Sequence, residues 1–151
     1  MIWGCMGMQG VGYSCHIEGS MTTDLYLGIL EDELLKTLKY YKIKRKDIIF
    51  QQDNASIHTS PRVTKWLENH KIEVLQWPAQ SPDLNPIEHL WYHLKKQLAK
   101  YEKEPKGIHE LWEHIQVEWN RIPREVCDNL IASMPKRIKA LWKVKGEHIP
   151  Y

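Results

Sequence analysis

Two segments of this sequence hold acids where metal chemistry is expected. One is Gln52-Asp53-Asn54-Ala55-Ser56-Ile57-His58. The other is Ser81-Pro82-Asp83-Leu84-Asn85-Pro86-Ile87-Glu88-His89-Leu90-Trp91. Asp53 ends an apolar run, and Glu88 falls in the first turn of a helix opening after the last proline, beside its apolar stripe. Two carboxylates brought together without a cation raise one another's pKa, so a converging pair implies a bound metal or a shared proton. A hard cation such as Mg²⁺ takes carboxylate oxygens at about 2.0–2.1 Å and keeps positions for water and substrate phosphate. Each acid also has a plainer reading: Asp53 could start a turn with Asn54, and Glu88 could favour the positive end of its helix by about 0.3–1 kcal/mol.

The neighbours of the two acids divide in the same way. His58 could act as a base or ligand, or be a loop histidine in solvent. His89 and His93 share a helix face at a spacing used by zinc sites, without a third ligand at fixed spacing. Asp83 and Asn85 read as turn and cap residues of the proline loop. Lys136, Arg137, Lys139, Lys143 and Lys145 could track phosphates or form a solvated helix face. Trp3, Trp66, Trp91, Trp112, Trp119 and Trp142 fall on apolar positions and are expected in the core, whereas Trp77 ends a strand beside the proline loop and could stack on a base.

The elements that position these residues follow from periodicity. Met1 to Met6 and Val11 to Ile17 read as a β-hairpin turning near Gln9-Gly10. Leu25, Tyr26, Ile29, Leu30, Leu34, Leu38 and Tyr41 then recur at helical spacing, with Thr23 or Asp24 as the cap. Asp47 to Asp53 has the look of a buried strand emerging at Asp53. Ser60-Pro61 caps a second helix lined by Val63, Trp66 and Leu67, and Ile72 to Trp77 is a further strand. After the prolines, Ile87, Leu90, Trp91, Leu94 and Leu98 form one helical face. The order is α/β, in which ligands are expected beyond the carboxyl ends of parallel strands, where Asp53 lies. From Glu104-Pro105 onward three helices are expected: one striped by Ile108, Leu111, Trp112, Ile115 and Trp119, one opened by Pro123, and one lined by Ile138, Leu141 and Trp142.

Composition is that of an ordinary globular domain, with 42% hydrophobic and 26% charged residues among 151, enough for one core. The net charge of +2 does not by itself argue for a nucleic-acid partner. Cys5, Cys15 and Cys127 lack paired spacing, which fits free thiols in a reduced compartment. No apolar run approaches the roughly 20 residues needed to cross a bilayer, and the N-terminus lacks the pattern of a signal peptide, so an intracellular, membrane-free protein is expected.

Asp53-Asn54-Ala55 with His58, followed by Trp77-Pro78-Ala79-Gln80-Ser81-Pro82-Asp83-Leu84-Asn85-Pro86-Ile87-Glu88, resembles the Tc/mariner superfamily of transposases. Asp53 and Glu88 are separated by thirty-four residues, the interval of the Tc-type branch. Trp3-Gly4, Gly10-Val11-Gly12, Tyr26 and Ser133-Met134-Pro135-Lys136-Arg137 extend the likeness along nearly the whole chain.

The resemblance implies a ribonuclease-H-like fold of the retroviral integrase superfamily: a mixed sheet flanked by helices, here without its first strand, and a helical C-terminal extension. Residues 1–104 would be the partial catalytic core and residues 105–151 the helical part of the same domain. It also implies an Asp-Asp-Glu triad holding two Mg²⁺ or Mn²⁺ ions, with Asp53 the second acid and Glu88 the third, and Asn54 and His58 accessory to them. The partners would be transposon ends and target DNA, with a second protomer and no small-molecule cofactor; among the basic residues above, Lys136, Arg137 and Lys139 are the candidates for contacting that DNA. The location would be nuclear in a eukaryote and intracellular otherwise. The first acid and the end-recognition region precede Trp3-Gly4 in the family, so the expectation is a chain that binds metal and DNA without completing strand transfer. A non-catalytic DNA-binding or interaction module derived from such an enzyme is the alternative.

Overall fold

The computed structural model describes residues 1–78 and 81–143. These group into two compact units. One comprises Met1–Cys5 with Gly12–Ser81, and the other Met6–Val11 with Pro82–Tyr151.

In the first unit, β1 (Ile2–Gly7) and β2 (Gly10–His16) form the expected hairpin, its tip grouping with the second unit. Gly10 sits at φ 129°, a conformation that favours glycine. At Gly12 the reason for glycine is space, since a Cβ would lie 2.5 Å from the Cys5 sulfur and 2.6 Å from the Thr37 side chain. Thr37 ties the hairpin to the helix behind it, its hydroxyl accepting from the Tyr13 amide (2.9 Å) and donating to the Glu33 carbonyl (2.8 Å).

The helical stripe from Leu25 to Tyr41 is realised as α1 (Thr23–Ile29), a π-helical segment (Leu30–Leu34) and α2 (Leu35–Tyr40). Its cap is Thr22, whose hydroxyl accepts from the Leu25 amide, rather than Thr23 or Asp24. Cys5, Tyr26, Leu30, Leu34, Val63, Leu67 and Ile72 make the core, the last three from α3 (Pro61–Asn69) and the residues after it. Pro61 opens α3 as expected. The Ser60 hydroxyl makes no cap bond and is buried without a partner.

Both parallel strands are shorter than expected. β3 is Ile49–Phe50 and β4 is Glu73–Val74, paired in parallel with Ile49 opposite Glu73. The apolar run also is not buried on both faces: Ile48 and Phe50 pack on the core, while Ile49 points away and is 60% exposed. A continuous apolar run signals burial on both faces only where both are covered. Strands of both senses occur, in two two-stranded sheets among the described residues.

In the second unit, a short 3₁₀ turn (Pro82–Leu84) leads through Asn85 into α4 (Pro86–Leu98), followed by α5 (Ile108–Asn120), α6 (Arg124–Ala132) and α7 (Met134–Lys143). Leu90, Leu94, Ile115, Trp119, Ile122 and Cys127 are buried, and Trp91 stacks on Trp119 with ring centroids 5.0 Å apart. On α7 the expected inward face is corrected in part: Leu141 is half-buried, but Ile138 and Trp142 are exposed, Trp142 at 81%, while Arg137 is 2% exposed. Its guanidinium donates to the Ser133 hydroxyl (2.8 Å) and the Asp83 carbonyl (3.0 Å), so Arg137 rather than Ile138 or Trp142 takes the buried position on α7.

Candidate active site

Asp53 lies three residues past β3 on an irregular loop, its side chain 59% exposed. Its Oδ1 accepts the Ala55 amide at 3.1 Å, the turn that an Asp-Asn pair favours. The same oxygen meets His58 Nδ1 at 2.5 Å. Both contacts fall on one oxygen, so they orient the carboxylate and leave its other oxygen outside these bonds. Aspartate and histidine five residues apart thus become one polar pair.

Four other side chains hold that loop. Gln52 accepts from the Tyr26 hydroxyl at 2.6 Å and donates to the His58 carbonyl at 3.0 Å, bridging the helical core to the loop. The Gln52 carbonyl accepts the Trp77 indole N–H at 2.8 Å, and Asn54 donates to the Trp77 carbonyl at 3.1 Å, so the strand-end loops are laced together. The Tyr26 ring lies against the His58 ring, with centroids 4.2 Å apart. Burial, with the nearby Asp53 charge adding to it, pushes the Tyr26 phenol well above its ordinary range, so it is held as a hydrogen-bond donor. Trp77 thus helps to hold the loop through its indole N–H and its carbonyl. Beside this loop a cavity of about 430 Å³ is lined on one side by Gln52, Asn54 and His58 and on another by Leu67, Ile72 and Val74.

Glu88 is exposed in the first turn of α4, which starts at Pro86 after the buried Asn85. Asn85 occupies the cap position with its backbone only, its side chain making no cap bond. His89, next along, is held below its ordinary pKa by partial burial and then by the Arg137 charge, with Asp83 opposing. His93 meets Gln97. Among the described residues no three His, Cys, Asp or Glu side chains gather into a metal-holding group, and His89 with His93 gains no third ligand. Asp53 and Glu88 individually present exposed carboxylate oxygens, the donor type that Mg²⁺ and Mn²⁺ prefer.

Of the expected DNA contacts on α7, Lys136 and Lys139 are exposed, Arg137 is inside and engaged as described, and Lys145 lies outside the described residues with Ala79 and Gln80. Sequence reasoning missed Gln52 and Tyr26 as supports, for nothing local signals a bond between residues twenty-six apart. It also missed the cations between Lys36 and Lys46, which a running charge count shows directly.

Residues 2–112 match the family described as DDE superfamily endonuclease. The chain belongs to that superfamily, on its Tc/mariner branch. It is 34% identical over 151 residues to the Tcb1 transposase of Caenorhabditis briggsae and 33% identical over 153 residues to the Tc1 transposase of Caenorhabditis elegans. Each alignment covers 100% of this chain and 54% of the relative, so the chain spans about half the length of the curated relatives it matches. Among solved structures, the catalytic domain of Mos1 transposase with raltegravir and Mg superposes with a TM-score of 0.87 at 24% identity, covering 99% of this chain and 76% of that one. The Mos1 mariner paired end complex with Mn gives 0.89 at 23%, covering 99% and 44%. At that identity the likeness speaks to fold, and the fold of this DDE domain is ribonuclease-H-like, with helices and strands mixed and a helical C-terminal part.

Proposed function

We propose that Asp53 and Glu88 are carboxylate ligands of divalent Mg²⁺ or Mn²⁺ in a domain that acts on DNA by phosphoryl transfer. The observation that supports this most is the Asp53–His58 pair, oriented by one shared oxygen and buttressed by Gln52, Tyr26 and Trp77. Such support goes beyond what a simple loop turn requires. Asp53 would offer its remaining oxygen outward, His58 would hold the carboxylate's rotamer, and Asn54 would fix the loop to Trp77. Glu88 would be carried rigidly on the first turn of α4. When bound, divalent ions supply an activated water or 3′-hydroxyl and stabilise the leaving oxygen at phosphorus.

The DNA partner, including transposon ends and target, a second protomer, and a nuclear location in a eukaryote are part of the same reading. Related proteins support the partner: structures of Mos1 include a paired-end complex with a left transposon end. The isolated 151 residues are proposed to bind metal and DNA without strand transfer. The family triad needs a further acid, whereas Asp24 pairs with Arg62, Asp32 pairs with Lys36, and Asp47 sits in the 3₁₀ turn before β3.

Calorimetry with Mn²⁺ tests this. Binding that is lost in both Asp53→Ala and Glu88→Ala is the expected result; binding indifferent to both sinks the metal assignment. Mg²⁺-dependent nicking of plasmid by the purified chain would overturn its inactivity. DNA binding without any metal affinity would leave the non-catalytic module as the better reading.

A further inference from the structure

Between Lys36 and Lys46 the chain carries Lys36, Lys39, Lys42, Lys44, Arg45 and Lys46 and no acid. Lys36 is spoken for by Asp32 at 3.6 Å. The other five are all exposed, and none takes part in an ion pair among the described residues. One or two cations at the end of α2 would be explained by the helix dipole, whose influence fades within the last turn. Lys44, Arg45 and Lys46 lie beyond it, on the connector and the 3₁₀ turn Arg45–Asp47. Like charges held this close repel, and the repulsion is relieved by a polyanion.

Aromatic rings stand within the same patch. Tyr40, 67% exposed, packs edge-on to Tyr13 of β2 with centroids 6.1 Å apart and to Tyr41 at 4.9 Å. Tyr13 is exposed as well. Exposed phenols beside lysines can donate to phosphate oxygens and offer ring faces to unpaired bases.

We infer that this basic, tyrosine-edged surface at the end of α2 binds the DNA backbone, in place of the α7 face, whose Arg137 is buried. The inference rests on the reading of the chain as a DNA-handling domain, and goes beyond it by naming where a DNA segment is held independently of metal. An acidic protein is the competing occupant. Rings placed to meet bases, together with cations spread along a connector rather than set in a pocket, favour nucleic acid.

The test is fluorescence anisotropy of the chain in EDTA, with a labelled duplex and a labelled single strand of arbitrary sequence, across about 50 to 200 mM salt. The triple variant Lys42→Gln, Lys44→Gln, Arg45→Gln should flatten the duplex slope of log affinity against log salt by roughly 2 to 3, about 0.9 per lost contact. The corresponding triple with Lys42→Arg, Lys44→Arg and Arg45→Lys should keep the parent slope. Tyr40→Ala should weaken single-strand binding about tenfold while leaving the duplex slope alone. All these side chains are exposed, and unchanged thermal melting would show that folding is not the cause. An unaltered slope in the Gln triple, or its loss instead in Lys136→Gln with Lys139→Gln, overturns the assignment. Poly-glutamate competing as well as DNA, with Tyr40→Ala silent, overturns it in favour of an acidic protein. Because EDTA removes divalent ions, failure of the Asp53 and Glu88 metal assignment leaves this result readable.

Discussion

Cys5 illustrates how one side chain records its surroundings. It is buried where β1 meets Thr37, and burial, with the nearby Glu33 and Cys15 charges in support, pushes its thiol up to about 12 despite the Thr37 hydrogen bond that lowers it. Cys15 is pushed up to about 11 for the same leading reason. A thiol whose pKa is higher folded than unfolded adds stability below its ordinary value of 9.0, and that stability is lost as pH rises toward the folded value. Urea unfolding between pH 8 and about 10.5 should therefore show falling stability, on the order of 1–2 kcal/mol attributable to Cys5 at the upper end. The decline should be shallower in Cys5→Ala. An equal decline in both would mean that Cys5 opens to solvent before the chain unfolds. At the same scale, Asp53 and His58 were legible as candidates because their residue types and spacing carry chemistry. Their support by Gln52 and Tyr26 was not, since it depends on a hydrogen bond between distant parts of the chain.

The two helix ends in the first unit follow one design. Just past α2, Lys42 (φ 56°) is followed by Ile43 N–H on the Leu38 carbonyl, and just past α3, Lys71 (φ 56°) is followed by Ile72 N–H on the Leu67 carbonyl. Each is the six-to-one closure of a Schellman motif with a lysine in the left-handed position that glycine normally fills. A left-handed L-residue costs roughly 1–2 kcal/mol, part of which glycine would return to unfolded-chain entropy. Lys71→Gly should thus raise the free energy of unfolding by about 0.5–1 kcal/mol, measured in urea. A loss instead would show that the Lys71 side chain contributes more than its backbone costs. Helix existence was readable from the apolar spacing at this scale. The π segment and the left-handed ends were not, for neither glycine nor proline marks them.

At the scale of the whole molecule, Arg137 decides how the end of the second unit is built. A guanidinium at 2% exposure that satisfies the Asp83 carbonyl links α7 to the turn that introduces α4. Hydrogen bonds from a charged donor are worth about 1.5–3 kcal/mol where their loss strands a buried acceptor. Arg137→Met is expected to lower unfolding free energy by about 2–3 kcal/mol, while Lys139→Met, on the exposed side of α7, should stay within about 0.5 kcal/mol. Equal and small effects in the two would mean that Arg137 is tolerated inside rather than needed there.

Periodicity and punctuation were enough to read the hairpin, the helix starts at Ser60-Pro61 and after Pro86, and the three C-terminal helices, because each is set by local spacing, φ restriction and capping. The residue types at Asp53 and Glu88, with the proline-bracketed segment between them, were enough to reach the superfamily. Tertiary structure alone decided which of two locally equivalent faces turns inward. It buried Arg137 and exposed Trp142, because a guanidinium with carbonyl and hydroxyl acceptors can be taken from water, whereas apolar spacing along a helix does not by itself bring a partner to an indole. It also shortened β3 and β4 to the residues that find partners, since strand length is set by pairing across the sheet and not by the run of apolar residues along the chain.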